Sequence, residues 1–205
     1  MNLLLFSAAT IGILHAFAPD HWLPFVMLSK AQQWSKWKLS TITILAGLGH
    51  VTSSLLIGGV GVLLGIAAEH VNLWESSRGN IASLLLIGFG LAYMVWGIKN
   101  WGRKHSHEID KAKIVSYWTL FALIVFGPCE PLIPLIFVGY AYGWIGIALV
   151  FAVFGLTTIA MMMLQVHLAV FGLSFVRWHW LEHANDVIAG GVIALTGVLI
   201  LVLGI

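Results

Sequence analysis

The string His15-Ala16-Phe17-Ala18-Pro19-Asp20-His21 places two imidazoles, a carboxylate and a proline inside an apolar run. An ionisable group at membrane depth costs about 2.5–3.5 kcal/mol or more, so it marks a site with a partner. Imidazole nitrogen with carboxylate oxygen is a donor set for nickel, cobalt, zinc and similar divalent ions. On a regular helix His15 and His21 stand about 240° apart in azimuth and share no face. Pro19 removes a backbone donor and unwinds the turn, which lets His15, Asp20 and His21 converge. A polar capping or gating turn is the plainer alternative. His50 follows Gly47 and Gly49 in a second apolar run and is either a further ligand or a lone interhelical hydrogen bond.

A second constellation is Gly127-Pro128-Cys129-Glu130-Pro131-Leu132-Ile133-Pro134. Cys129 and Glu130 can join the same ion, or Glu130 can carry a coupling proton; a small buried cysteine is also ordinary packing. The helix-breaking prolines are Pro19, Pro24, Pro128, Pro131 and Pro134; Pro19, Pro24, Pro131 and Pro134 free the carbonyls of His15, Asp20, Gly127 and Glu130, and a carbonyl freed in hydrocarbon needs a new partner, for which a cation serves. Accessory donors are His167, beside Met161, Met162 and Met163, and the pair His105 and His107 in a basic loop. The methionines suit gap filling as well as soft ligation.

The elements that carry these residues are apolar. Of 205 residues 60% are hydrophobic and 9% charged, against about 25% charged in soluble domains. The mean hydropathy is +0.98. The expected class is an all-α integral membrane protein. Six runs reach the roughly 20 residues that a span needs: Leu3–Leu28, Leu39–Ala67, Ile81–Ile98, Ile114–Tyr140, Trp144–Val176 and Val187–Leu203. The first lacks a basic leader and a small-residue cleavage site, so it is read as mature protein. Lys30, Lys36, Lys38, Lys99, Arg103, Lys104, Lys111, Lys113 and Arg177 fall in odd-numbered loops, and only Arg78 in an even one. That bias puts both termini outside.

Asp20-x-x-x-Pro24 aligns with Glu130-x-x-x-Pro134, Gly49 with Gly155 and Thr52 with Thr158. One domain over 1–205 would then comprise repeat one (1–98), a cytoplasmic loop (99–113) and repeat two (114–205). Three helices per half makes the repeats inverted, with helices one and four broken by proline.

His15-x4-Asp20-His21 resembles the H-x4-D-H signature of the nickel/cobalt transporter families, including NicO-like exporters. Gly49-His50 resembles the glycine–histidine element of their next span, and Gly127-Pro128-Cys129-Glu130-Pro131 resembles the second-half motif of the wider LysE-type superfamily. The resemblance implies a secondary transporter, not an enzyme, in a prokaryotic inner membrane. Its substrate would be a divalent transition metal, nickel or cobalt before zinc, with no permanently bound cofactor, and protons would be the natural coupling ion. Ligands carried over are His15, Asp20, His21 and His50, with Cys129 and Glu130 from the other half. Implied partners are the metal ion, the bilayer, and a second copy or a soluble metal carrier; nucleic acid is not among them. Two features depart from the pattern: the histidine-rich loop is reduced to His105 and His107, and an acid follows Cys129. The alternatives are a membrane thiol-redox carrier, which needs two thiols where the sequence has only Cys129, and a membrane haem protein or metal-dependent enzyme, although no H-E-x-x-H string is present.

Overall fold

The computed structural model describes residues 1–66, 68–99, 118–119, 121–122, 124–125, 127, 129–174 and 185–203. His105, His107 and Pro128 lie outside the described residues. The described residues include, in order, α1 Asn2–His15, α2 Leu23–Ala31, α3 Lys36–Leu63, α4 Ala68–Lys99, α5 Leu132–Tyr140, α6 Gly143–Ser174 and α7 Asn185–Leu203, with a 3-10 turn at Pro19–His21 between α1 and α2. Trp118–Thr119, Phe121–Ala122 and Ile124–Val125 are also helical, and no strand occurs among the described residues.

The helix ends follow local chemistry. Ser35 caps α3 by accepting from the Lys38 amide at 3.2 Å, which satisfies one of the orphan donors of the first turn. At the other end Gly65 takes φ +65°, and the Ile66 amide bonds back to the Gly61 carbonyl at 2.9 Å. The left-handed conformation at that position costs glycine little.

Among the described residues four helical segments are long and apolar enough to cross a bilayer: Lys36–Leu63, Ser77–Lys99, Gly143–Leu173 and Asp186–Leu203. Asn2–His15 and Pro19–Ala31 form a pair bent by 78° that passes the same test together. The first expected span is therefore broken at Pro19. The fourth falls partly outside the described residues; its described part leaves helix at Gly127, turns through Glu130–Pro131 and resumes as α5. One boundary differs from expectation. The polar stretch between Ala67 and Ile81 reads as a loop by hydropathy, yet α4 begins at Ala68. A hydropathy window cannot see a helical turn whose charged side chains find protein partners, and Arg78 is such a residue.

The outward faces are apolar, with Leu3, Phe6, Leu56, Ile145, Leu156 and Val202 exposed, a surface that water does not tolerate over so large an area. Inside, small residues permit close helix approach. A Cβ on Gly90 would meet the Ala194 amide nitrogen and one on Gly190 the Met94 amide nitrogen, which locks α4 against α7. A Cβ on Gly12 would strike Thr157, and Thr158 donates to the Gly12 carbonyl at 3.3 Å, which fixes α1 on α6. Thr52, its expected counterpart in the repeat, faces outward. Two buried clusters result. Phe25, Val26, Leu39, Met162, Val166 and Ile193 anchor one, and Val51, Cys129, Leu132, Ile136, Val150 and Phe154 the other.

Candidate metal centre

The break between α1 and α2 brings the chemistry together. His15 closes α1; the Ala18 amide bonds the His15 carbonyl and the His21 amide bonds the Ala18 carbonyl, each at 3.1 Å. This tight path returns His21 to His15, with the two Nε2 atoms 3.1 Å apart. His50, midway along α3, places its Nε2 3.2 Å from that of His21 and 3.4 Å from that of His15. Cys129, from the second break, has its Sγ 3.5 Å from His15 Nε2. His15, His50 and Cys129 present ligand atoms that all lie within 4.8 Å of one another. His21, His50 and Cys129 are buried, and His15 is partly buried.

The outer ring nitrogens decide what the inner ones offer. His50 Nδ1 is 2.9 Å from the Ile124 carbonyl oxygen, which only accepts, so Nδ1 carries the proton and Nε2 of the neutral ring is a bare lone pair. His21 Nδ1 is 2.9 Å from Asp20 Oδ1. A carboxylate behind a histidine is the usual way to fix its tautomer and strengthen it as a ligand. Asp20 therefore sits behind His21, at the ring end opposite Nε2, rather than among the converging donors. Two lone pairs facing at 3.2 Å repel unless a proton or a metal ion lies between them.

The second break is held from outside. His50 takes the Ile124 carbonyl. Ser53 Oγ lies 2.8 Å from the Val125 carbonyl oxygen. Arg78 Nη2 donates to the Gly127 carbonyl and to Ser53 Oγ, each at 3.3 Å. Three of the carbonyls freed by proline have protein donors: Gly127 has Arg78, while those of His15 and Glu130 take the amides of Ala18 and Ile133. The expectation that a cation satisfies them is corrected for these three. Arg78 and Ser53 were not anticipated; a single arginine at the polar edge of an apolar run was the available signal.

Glu130 is exposed and lines a cavity of about 470 Å³ whose wall also includes His15, Asp20, His21 and His50. It borders the cluster without joining the set of converging nitrogens. His167 lies apart, with Nε2 3.0 Å from Ser40 Oγ. Met162 packs: it is fully buried, and its Sδ stands 3.4 Å from where a Cβ on Gly47 would be.

Histidines converging with a buried thiol make this a candidate metal site. No family model, curated protein or solved structure matches the chain. The functional reading therefore rests on the residues themselves.

Proposed function

We propose that the chain is a secondary transporter that carries a divalent transition-metal ion through a site formed by His15, His21 and His50, with Asp20 orienting His21. The observation that carries this reading is the convergence of three Nε2 atoms at a break between half-helices. Discontinuous helices meeting inside a bundle are where transporters place substrate. The half-helix α2 and its counterpart α5 are each nine residues long, or about 14 Å at 1.5 Å per residue. That is close to half of a 30 Å hydrocarbon core, which supports breaks near mid-membrane and the arrangement of two inverted repeats with six spans. Both termini then lie outside, and rocking of one half against the other exposes the cavity to each side in turn. The resemblance of His15-x4-Asp20-His21 favours nickel or cobalt. Protons compete for the same imidazole nitrogens, so proton exchange is a fitting driving couple.

A second reading has a specific observation behind it: a cavity of about 470 Å³ is larger than an ion needs, and Glu130 lines it. Three histidines with an open position suit metal-bound water in hydrolysis. Metal analysis of the purified chain and uptake by reconstituted vesicles, for nickel, cobalt, zinc, copper and iron in turn, separates the two. Saturable uptake supports the transporter. A bound metal with no uptake supports the enzyme.

A further inference from the structure

We propose that the site holds two overlapping ion positions, one formed by His15, His21 and His50 and the next by His15, His50 and Cys129, and that the substrate ion passes between them. This deepens the metal-site reading above and rests on it. His15 and His50 are common to both positions, their Nε2 atoms 3.4 Å apart. His21 adds its Nε2 to that pair at 3.1 and 3.2 Å. Cys129 completes a different group with the same pair: its Sγ is 3.5 Å from His15 Nε2, and the ligand atoms of His15, His50 and Cys129 all lie within 4.8 Å of one another. His21 is not in that group. Two donors to one ion stand at most about 4.4 Å apart even across it, the sum of bonds of about 2.1 Å to nitrogen and about 2.3 Å to sulfur. His21 and Cys129 are therefore donors to successive positions rather than to one.

The surroundings separate the two positions independently. Among the described residues, the wall of the cavity of about 470 Å³ includes His15, His21 and His50 and not Cys129. Cys129 is fully buried and packs in the apolar cluster of Val51, Leu132, Ile136 and Phe154. The first position thus faces open space, and the second faces a sealed apolar wall. They also draw on different breaks: His21 on the one between α1 and α2, Cys129 on the one that precedes α5. An ion entering by the cavity meets the histidines first, and the thiol is the donor that takes it onward. Because His15 and His50 serve both positions, the ion moves by exchanging one ligand while keeping two. The thiol gives up its proton as it ligates.

The test titrates the full chain in detergent micelles with cobalt(II) chloride as a spectroscopic probe and measures cobalt flux into reconstituted vesicles. Wild type should show a thiolate-to-cobalt charge-transfer band in the near ultraviolet. His21→Ala should keep that band, with greater intensity per bound cobalt, because only the second position is left; His21→Asn serves where the alanine variant does not fold. Cys129→Ala should lose the band, still bind cobalt through the three histidines, and slow flux at least about tenfold. Absence of the band in wild type, its loss in the His21 variants, or undiminished flux through Cys129→Ala would each overturn the proposal. Wild-type flux without the band would leave the transporter reading standing without the second position. The expected spectra with no wild-type flux would do the reverse.

Discussion

His21 and His50 point their Nε2 atoms at each other across 3.2 Å, although the far nitrogen of each ring is already engaged, by Asp20 and by the Ile124 carbonyl. With both rings neutral the arrangement sets two lone pairs against each other, which a shared proton or a metal ion would relieve. The same convergence makes a metal ion a fitting occupant.

Asp20→Asn removes the anionic anchor of His21 while keeping its shape. Metal affinity should fall by about 10–100-fold, the usual cost of losing an outer partner of a ligating histidine. Equilibrium titration of the micelle-solubilised variant checks this, and its thermal unfolding in the absence of metal should stay near that of wild type.

His50→Ala removes a ligand and also leaves the Ile124 carbonyl without its donor. Metal binding should be lost, and the apo protein should lose about 1–3 kcal/mol from the orphaned carbonyl. Added metal should raise the melting temperature of wild type and leave that of the variant unchanged.

Arg78→Met separates the scaffold from the ligands. Gly127 and Ser53 lose a charged donor, so stability should fall by about 1–3 kcal/mol, read as a lower melting temperature. Arg78→Lys should recover part of the loss, since it keeps the charge without the fork that reaches two acceptors.

Acid should weaken binding. Each imidazole nitrogen and the thiol must be proton-free to ligate, so protons and metal exclude each other. With several such donors the apparent affinity should drop by more than about tenfold per pH unit once the ligands begin to protonate. Calorimetric titration at a series of pH values measures the slope.

Gly190→Val tests the bundle apart from the site. The new Cβ would meet the Met94 amide nitrogen and the Gly90 carbonyl oxygen, and backbone cannot step aside as a flexible side chain can. Overpacking of this kind typically costs about 1–3 kcal/mol. The variant should elute with a larger aggregated fraction in size-exclusion chromatography.

Much of this was legible in the residues. Histidines and an acid in an apolar run have few uses other than a site, and Pro19 announced the bend that makes His15 and His21 neighbours. What stayed hidden was of two kinds. Arg78 looked like a loop residue because hydropathy scores a side chain alone, whereas its charge is spent on Ser53 and the Gly127 carbonyl. The division of labour between Asp20 and the histidines was equally unreadable, because spacing says which groups converge and not which ring nitrogen faces inward. Thr52 and Thr158, matched by letter and position, have different surroundings, one facing outward and the other bonded to Gly12.

The most direct test of the central claim is metal flux into vesicles reconstituted with wild type and with His21→Ala, each loaded with a metal-sensitive dye and matched for protein content. The account predicts saturable flux of a divalent transition metal for wild type and none above empty vesicles for the variant. Equal flux through both would contradict it.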